Sequence, residues 1–216
     1  GFYCAEDADS EGEEGKFYVW TEQEIRQVLP GREADLFIDT YNIRPGGNYR
    51  DEASGQASGR NIPHLSDPMV PQDQLMVTIT DPGDLEVLES ARRKLFEARQ
   101  KRVRPGKDDK ILADWNGLMI AALAKAAAAL DEPAYAQAAE KAADFLLEKL
   151  RTPQGRLLHR YRAGDAAIHA NLDDYAFLVW GLIELYEATF EPDHLLAAIE
   201  LTDQAIRHHE DAAAGG

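Results

Sequence analysis

Apolar residues recur at helical spacing throughout the second half of the chain. Residues 111–130 are apolar on almost every side, whereas the segment that begins at Pro133 is apolar on one side only. The same order returns after Asp173-Asp174, where an apolar helix is followed by a one-sided helix that begins at Pro192. A helix that is apolar all round is enclosed by its neighbours, and a one-sided helix lies outside them. The pattern therefore predicts two helical hairpins, each with an inner and an outer helix.

The two hairpins form an internal repeat. Asp108-Asp109 precedes the first apolar helix and Asp173-Asp174 precedes the second, at a spacing of 65 residues (173 − 108 = 65). An acidic residue followed by Pro133 or Pro192 turns each hairpin, at a spacing of 59 (192 − 133 = 59). Alternating inner and outer helices at such a period are typical of an α/α solenoid or a closed α/α toroid. In a toroid the inner helices begin at one shared mouth, so we expect the two Asp-Asp pairs to lie close together.

The first 20 residues predict a β-like hairpin with an acidic loop. Aromatic and β-branched residues form two runs, Phe2-Tyr3 and Lys16–Trp20, and residues of these types favour strands. The polar stretch between the runs contains glycine and is typical of a loop. A further short strand is predicted at Arg156–Arg162, between the two helical hairpins.

A short pair of helices is predicted next. Thr21 and Glu24 match a capping box, in which each side chain bonds the backbone amide of the other residue. The helix that they open ends at Leu29-Pro30, and a second short helix is predicted over residues 32–41.

A long segment without periodicity follows. Residues 44–81 contain Pro, Gly, Ser and Asn throughout, which predicts either an ordered excursion or a mobile loop. Asp81-Pro82 then begins a helix that runs to about Val103. We accordingly divide the chain into an acidic β-like loop (1–20), a short helical hairpin with a long loop (21–81) and the helical hairpins (82–216).

The charge balance excludes two classes of partner. The chain has 23 Lys and Arg residues against 39 Asp and Glu residues, a net charge of −16. This field repels phosphate backbones and anionic lipid, so neither nucleic acid nor a membrane is an expected partner. No apolar run reaches the ~20 residues that a membrane span needs.

The chain has a single cysteine, Cys4. One thiol forms no internal disulfide and offers neither a Cys-x-x-Cys redox pair nor a zinc ligand set. The sequence also lacks a glycine-rich phosphate loop and a Gly-x-Ser-x-Gly nucleophile turn. We therefore expect no metal, no cofactor and a reducing compartment, the cytoplasm.

Three segments resemble the YyaL-like family of thioredoxin-domain-containing proteins, whose mammalian member is called spermatogenesis-associated protein. They are Gly1–Trp20, Asp108–Leu123 and Leu172–Leu178. The resemblance extends over essentially the whole chain. It implies a mainly all-α fold, an α/α toroid of six hairpins similar to six-hairpin glycosidases and N-acylglucosamine 2-epimerases. It also implies a partner, because family members carry a thioredoxin-like domain at their N-terminus.

The chain departs from the family pattern in its extent. It has no Cys-x-x-Cys, so no thioredoxin function is carried over. Its two ends, Gly1 and Gly216, look like cuts inside equivalent glycine-aromatic loops of the repeat. We therefore expect an interior fragment, a partial toroid with exposed apolar flanks.

Acidic residues at the mouth are the candidate catalytic groups. Asp108, Asp109, Asp173 and Asp174 would face a common pocket, where carboxylates about 5–10 Å apart can do acid–base work on a glycosidic bond. Crowded, partly desolvated carboxylates also raise one another's pKa, which prepares one of them as an acid. The structural alternative is that one Asp of each pair caps its helix and the other interacts with the helix dipole.

Residues beside these aspartates are candidate substrate contacts. Lys110, Trp115 and Asn116 follow the first pair, and Tyr175 follows the second. Trp115 would form a platform for the apolar face of a sugar, and the alternative is that it packs in the core.

The acidic loop near the N-terminus offers further candidates. Glu6, Asp7 and Asp9 would reach the mouth beside Trp20, or they would form a solvated turn. The loop also matches the first half of a calcium-binding loop, but its twelfth position is Tyr18 instead of a bidentate Glu, which argues against calcium.

His159 and His169 lie near the second Asp-Asp pair in the sequence. An epimerase needs bases for proton transfer at a carbon next to a carbonyl, a role that histidine commonly fills. The alternative for both is an ordinary surface or hydrogen-bonded histidine.

We predict a carbohydrate-active or sugar-binding α/α toroid domain, glycoside hydrolase-like or N-acylglucosamine 2-epimerase-like, that uses paired carboxylates. The rival hypothesis is a catalytically silent helical scaffold that partners a thioredoxin-like domain. A third hypothesis is a helical repeat that never closes. The positions of the two Asp-Asp pairs discriminate among them.

Overall fold

The computed structural model describes residues 1–50, 55, 58–65 and 81–211. The helices of this part are α1 (Glu22–Val28), α2 (Gly31–Thr40), α3 (Pro82–Arg99), α4 (Ala113–Leu130), α5 (Pro133–Lys149), α6 (Leu172–Thr189) and α7 (Pro192–His209). The strands are β1 (Ala5–Glu6), β2 (Asp9–Ser10), β3 (Glu13–Glu14), β4 (Lys107–Asp108), β5 (Ile111–Leu112), β6 (Leu158–Arg162) and β7 (Asp165–His169). The predicted class, mainly α-helical with short β-hairpins, is confirmed.

The chain divides into two compact units, which we describe separately. The companion unit comprises residues 6–106, and the repeat unit comprises residues 1–5 and 107–216. Helix α3 belongs to the companion unit and α4–α7 belong to the repeat unit. The described residues include no helix that is long and apolar enough to cross a membrane.

The capping box that the sequence predicts at the start of α1 is present. The Glu24 amide donates to Thr21 Oγ1 at 3.2 Å, and the Thr21 amide donates to Glu24 Oε2 at 2.7 Å. Helix α2 also lies where the sequence predicts it, and α3 begins at its Asp81 cap, whose Oδ1 accepts from the Gly83 amide. These helices pack around a core that includes Ile25, Phe37 and Leu95.

The predicted strands at residues 2–3 and 16–20 are wrong. The hairpin lies inside the acidic stretch, where Asp9 pairs with Glu14 and Ser10 pairs with Glu13. Its turn residues, Glu11 and Gly12, have φ of 55° and 77°, and positive φ at both central residues is the geometry that suits a two-residue hairpin. Turn geometry therefore outweighs strand propensity here, and the apolar residues of the 16–20 run are mostly buried in the core instead.

Part of the long segment over 44–81 is held by one buried amide, and the rest lies outside the described residues. Asn61 is fully buried, and its Oδ1 accepts from the amides of Arg44 and Asn48 at 2.8 and 3.1 Å. Its Nδ2 donates to the carbonyl oxygens of Trp20 and Arg44. Trp20 and Asn61 also form an isolated antiparallel β-bridge. These hydrogen bonds fix the backbone around Asn61, so the described part is an ordered excursion.

The repeat unit contains the two predicted hairpins with inner and outer helices. The inner helices α4 and α6 pack against each other, α5 packs against α4, and α7 packs against α6. Both inner and both outer helices begin 59 residues apart (172 − 113 = 59; 192 − 133 = 59). Each inner helix ends at a left-handed residue, Asp131 or Phe190, and is followed by a proline at the start of the outer helix.

The first inner helix begins later than the sequence predicts. Residues Ile111–Leu112 form β5, which pairs antiparallel with β6, and α4 begins at Ala113. The strand at 156–162 is present as β6, but β7 was not predicted, and the two strands form a hairpin. Ile111 and Leu112 pair with β6 instead of joining the helix. Asp108 and Asp109 therefore lie before a strand and not at the start of α4.

Two glycines let the inner helices approach closely. A Cβ added at Gly117 would lie 2.5 Å from the Leu178 amide nitrogen, and one added at Gly181 would lie 2.6 Å from the Gly117 carbonyl oxygen. Both distances are shorter than van der Waals contact, so no larger residue fits without moving a backbone. The N-termini of α4 and α6 are thereby held side by side.

Replacing Gly117 by Ala is expected to lower the free energy of unfolding by about 1–3 kcal/mol, the usual effect of overpacking. Urea unfolding followed by tryptophan fluorescence and circular dichroism measures it. The control is Ala122→Ser, which adds one heavy atom at an exposed position of the same helix. An equal loss in both variants would show that the contact at Gly117 is not tight.

Candidate functional site

A histidine and a buried aspartate meet where the two inner helices begin. His159 Nδ1 lies 2.8 Å from Asp174 Oδ1 and 3.0 Å from Oδ2. The Asp174 side chain is 1% exposed and the His159 side chain is 24% exposed. His159 is carried by β6, and Asp174 lies in the first turn of α6. The histidine therefore reaches solvent while its partner does not.

Asp174 accepts from both inner helices as well as from His159. Its Oδ1 accepts from the Asp114 amide of α4 at 3.1 Å, and its Oδ2 accepts from the Asn171 amide before α6 at 2.8 Å. A carboxylate with this set of donors is an acceptor only, so His159 donates from Nδ1. In the neutral ring, Nε2 then carries the free lone pair.

Asp114 is the third member of this site. One ligand atom from each of Asp114, His159 and Asp174 lies within 4.8 Å of the others. The three side chains have the donor types that could hold a divalent cation. Such a cation would compete with two backbone amides and His159 for the oxygens of Asp174.

Asp114 is a functional candidate that the sequence analysis missed. The spacing between the Asp-Asp pairs is 65 and that between the prolines is 59, a mismatch of six residues (65 − 59 = 6). Applying the proline spacing to Asp173 leads to Asp114 (173 − 59 = 114), which occupies the same position in α4 that Asp173 occupies in α6. This six-residue mismatch was the feature of the sequence from which Asp114 could have been identified.

Asp108 and Asp109 do not lie in the first turn of α4, contrary to prediction. Asp108 is in β4, where its carboxylate lies 3.1 Å from Lys110 Nζ. Asp109 Oδ1 accepts from Arg162 Nε at 2.6 Å. Because successive residues of a strand point to opposite faces, Arg162 and its partner lie on the face of β6 opposite to His159. The structure brings Asp174 together with Asp114, not with these two residues.

The other candidates beside the inner helices differ in exposure. Trp115 is 53% exposed in the first turn of α4, and Asp173 is exposed in the first turn of α6. Asn116 is 2% exposed, and it accepts from the Phe2 amide and donates to the carbonyl oxygens of Phe2 and Leu112. It therefore fastens the N-terminal segment to α4.

Tyr175 lies in the core instead of lining a surface. Its side chain is fully buried, and its hydroxyl accepts from the Leu157 amide at 3.2 Å. The site beside it is positioned by this contact, but Tyr175 itself does not reach solvent.

His169 is not brought together with His159. It lies on β7 opposite Leu158 of β6. Directly paired residues share a face and neighbours alternate, so the two histidines point to opposite faces of the hairpin.

Four candidates lie in the companion unit. Glu6 accepts from the Tyr18 hydroxyl at 2.9 Å and from Arg104 at 3.0 Å. The hydrogen bond to Glu6, and then burial, raise the pKa of Tyr18, whereas the charge of Arg104 lowers it. Asp7 Oδ1 accepts from the Asp9 amide at 3.1 Å, and both carboxylates are exposed. Trp20 is 5% exposed, and the Arg102 guanidinium lies 3.9 Å from its ring centroid.

A small charged group surrounds Cys4. Burial, and then the negative charge of Asp108, raise the pKa of the Cys4 thiol, whereas Lys110 lowers it. In turn, the hydrogen bond with Lys110 lowers the pKa of Asp108. The thiol is therefore held mainly in its protonated, unreactive form.

Two substitutions are expected to change Cys4 alkylation by iodoacetamide in opposite directions. Asp108→Asn removes a negative charge and should speed alkylation severalfold at neutral pH, because the thiolate fraction changes about tenfold for each pKa unit. Lys110→Gln removes the neighbouring positive charge and should slow it. The control is Asp109→Asn, which should leave the rate unchanged; a common direction for all three would contradict the assignment.

Comparison with known proteins identifies relatives for the whole chain. No family model matches it. It is 34% identical over 247 residues to human spermatogenesis-associated protein 20, covering 100% of this chain and 31% of that protein. An uncharacterized protein of Caenorhabditis elegans is 30% identical over 227 residues, covering 93% of this chain and 30% of that protein. The mouse spermatogenesis-associated protein 20 is 34% identical over 248 residues, covering 100% of this chain and 30% of that protein.

Among solved structures, the chain is similar to a cellobiose 2-epimerase from Spirochaeta thermophila. The TM-score is 0.43 at 16% identity, covering 87% of this chain and 53% of that chain. The chain spans just under a third of the length of the curated relatives it matches. It belongs to the spermatogenesis-associated protein 20 family.

Proposed function

We propose that the repeat unit is a carbohydrate-active domain that transfers a proton at a sugar carbon next to a carbonyl group, an epimerase-like or isomerase-like reaction. The observation that carries this proposal is the His159–Asp174 pair at the shared start of the two inner helices, with Asp114 beside it. Both the reaction type and the substrate class are proposals for this chain.

The hydrogen bonds of Asp174 favour His159 as the base. Nδ1 donates to a side chain that is 1% exposed and is fixed by two backbone amides. This contact orients the imidazole ring and leaves Nε2 as the proton acceptor on the more exposed side. A positioned histidine with one nitrogen held by a carboxylate is a common general base.

The same hydrogen bonds argue against glycoside hydrolysis by a carboxylate pair that includes Asp174, Asp108 or Asp109. Hydrolysis needs two carboxyl groups that both face the substrate. Both oxygens of Asp174 are already engaged, and Asp108 and Asp109 are paired with Lys110 and Arg162. Proton transfer through His159 requires no second free carboxylate for its first step.

The proposed reaction moves a proton between the sugar and His159. His159 Nε2 takes the proton from the carbon that bears a hydroxyl group beside the carbonyl, and the electron pair moves to the carbonyl oxygen to form an enediolate. Returning the proton to the neighbouring carbon, while the hydroxyl proton moves to the former carbonyl oxygen, gives isomerisation. Returning a proton to the other face of the same carbon gives epimerisation, and it needs a second acid, a role that we assign to Asp114.

Trp115 supplies a surface for the sugar. It follows Asp114 directly in the first turn of α4, and its ring is 53% exposed. Sugars have apolar C–H faces that stack on aromatic rings, and a large exposed aromatic beside polar groups is a typical platform. Stacking there would hold a sugar beside Asp114.

A scaffold function is the second candidate. Large apolar side chains on the inner helices are exposed, namely Leu118, Met119, Trp180 and Ile183. Such a surface favours contact with another protein, and a thioredoxin-like domain is the partner that the family resemblance implies. Under this hypothesis Asp174 only caps the helices.

A panel of neutral, amino and unsaturated sugars in D₂O tests the proposal. We expect one or more sugars to acquire deuterium at the carbon next to the carbonyl, observed by NMR. His159→Asn should lower the rate by about 100-fold or more, the usual contribution of a general base. Asp174→Asn should lower it too, since the ring is no longer oriented. The matched control is His64→Asn in the companion unit, which should keep the full rate.

Three results would count against the proposal. Deuterium uptake that survives His159→Asn would remove His159 from the reaction. New reducing ends without deuterium uptake would support hydrolysis. If no sugar reacts or binds while Asp174→Asn lowers only the thermal stability, the scaffold hypothesis stands.

A further inference from the structure

A cationic pocket lies on the face of the β6–β7 hairpin opposite to His159. Its volume is about 280 Å³, and it lies between the hairpin and the C-terminal end of α7. The residues that line it include Thr152, Arg156, His169, Gln204, Arg207 and His208. None of them takes part in the site at the start of the inner helices.

Arg156 and Arg207 supply the positive charge of this pocket. Within the described ranges, no carboxylate lies within ion-pair distance of Arg156 or Arg207, whereas the nearby Arg151 is paired with Glu200 at 2.9 Å. Burial lowers the pKa of His208, and the charges of Arg156, Arg207, His209 and His169 lower it further. In a chain with a net charge of −16, a cluster of cations is expected to attract acidic side chains. A cluster of cations that makes no ion pair with the described residues of such an acidic chain favours an anionic ligand.

Two buried polar atoms of the pocket also lack partners. Arg156 Nε, a donor, and Gln204 Oε1, an acceptor, are buried and make no hydrogen bond to the described residues. Buried polar groups in folded proteins are nearly always paired, so this donor and this acceptor in one pocket favour a polar ligand that bonds both of them. That ligand needs both an acceptor for Arg156 and a donor for Gln204.

We propose that this pocket binds the oxyanion of a small hydroxylated molecule, a phosphate or a carboxylate on a sugar or sugar acid. Guanidinium groups match the planar oxygens of carboxylate and phosphate, so Arg156 and Arg207 bind the anion. A hydroxyl group of the same molecule donates to Gln204 Oε1.

This inference does not rest on the proposed proton transfer. Binding at the pocket is measured by titration alone, and His169 points away from His159, so either proposal can fail without the other. The proposed anion site lies on the face of the hairpin opposite to His159, and it does not depend on the reaction proposed for His159.

Isothermal titration of the 216-residue chain with glucose 6-phosphate, glucuronate, inorganic phosphate and glucose tests it. We expect the two anionic sugars to bind and glucose to show no binding at the same concentrations. Arg156→Gln should weaken the binding by about tenfold or more, because it removes a charge-assisted hydrogen bond. The matched control is Arg160→Gln on the same hairpin, which should change the affinity less than about twofold.

The outcomes separate the parts of the proposal. Binding of glucose 6-phosphate but not glucuronate assigns a phosphate, and the reverse assigns a carboxylate. Inorganic phosphate that binds as tightly as the sugar phosphate would overturn the hydroxyl contact to Gln204. Absence of anion binding, or equal weakening by Arg156→Gln and Arg160→Gln, would overturn the site. If circular dichroism shows that Arg156→Gln does not fold, Arg207→Gln at the exposed end of α7 replaces it.

Discussion

The close approach of α4 and α6 at Gly117 and Gly181 is the contact on which the rest of the repeat unit depends. No side chain separates the two backbones there, because an added Cβ would lie 2.5–2.6 Å from backbone atoms of the other helix. Two helices in such contact cannot slide or rotate freely, so their first turns are fixed beside each other. The geometry of the candidate site follows from this restriction.

The consequence for Asp174 is that one side chain serves two helices. Helix α4 has no capping side chain of its own, since its cap position is Leu112. The amide at Asp114 is instead satisfied by Asp174 across the helix contact, while the same carboxylate satisfies the amide before α6. A carboxylate so thoroughly bonded is rigid, and rigidity is what an orienting partner of a histidine requires.

Local features of the sequence predicted much of the fold. The capping box of α1, the acid-proline turns and the hydrophobic periodicity are properties of a few neighbouring residues, and each of them is present in the structure. Structural features that depend on pairing between distant segments were not predicted. Ile111–Leu112 forms a strand only because β6 lies beside it, and that pairing moves the start of α4 past Asp108-Asp109.

The candidate site shows the same division. Asp174 and His159 were named from the sequence, but their contact with each other was not foreseen because it joins a strand to a helix. Asp114 could be found only by taking the 59-residue spacing as the true repeat. Gly117 carried no visible signal at all, since a glycine in a helix gains its meaning from the backbone that lies against it.

The left-handed ends of α4 and α6 determine how each hairpin is built. Asp131 and Phe190 stand 59 residues apart (190 − 131 = 59), and each reverses the chain two residues before a proline at the start of the next helix. The direction in which the outer helix returns is thus decided within a few residues. Each hairpin is therefore built from contacts close in sequence, whereas the two glycine faces join segments that lie far apart along the chain.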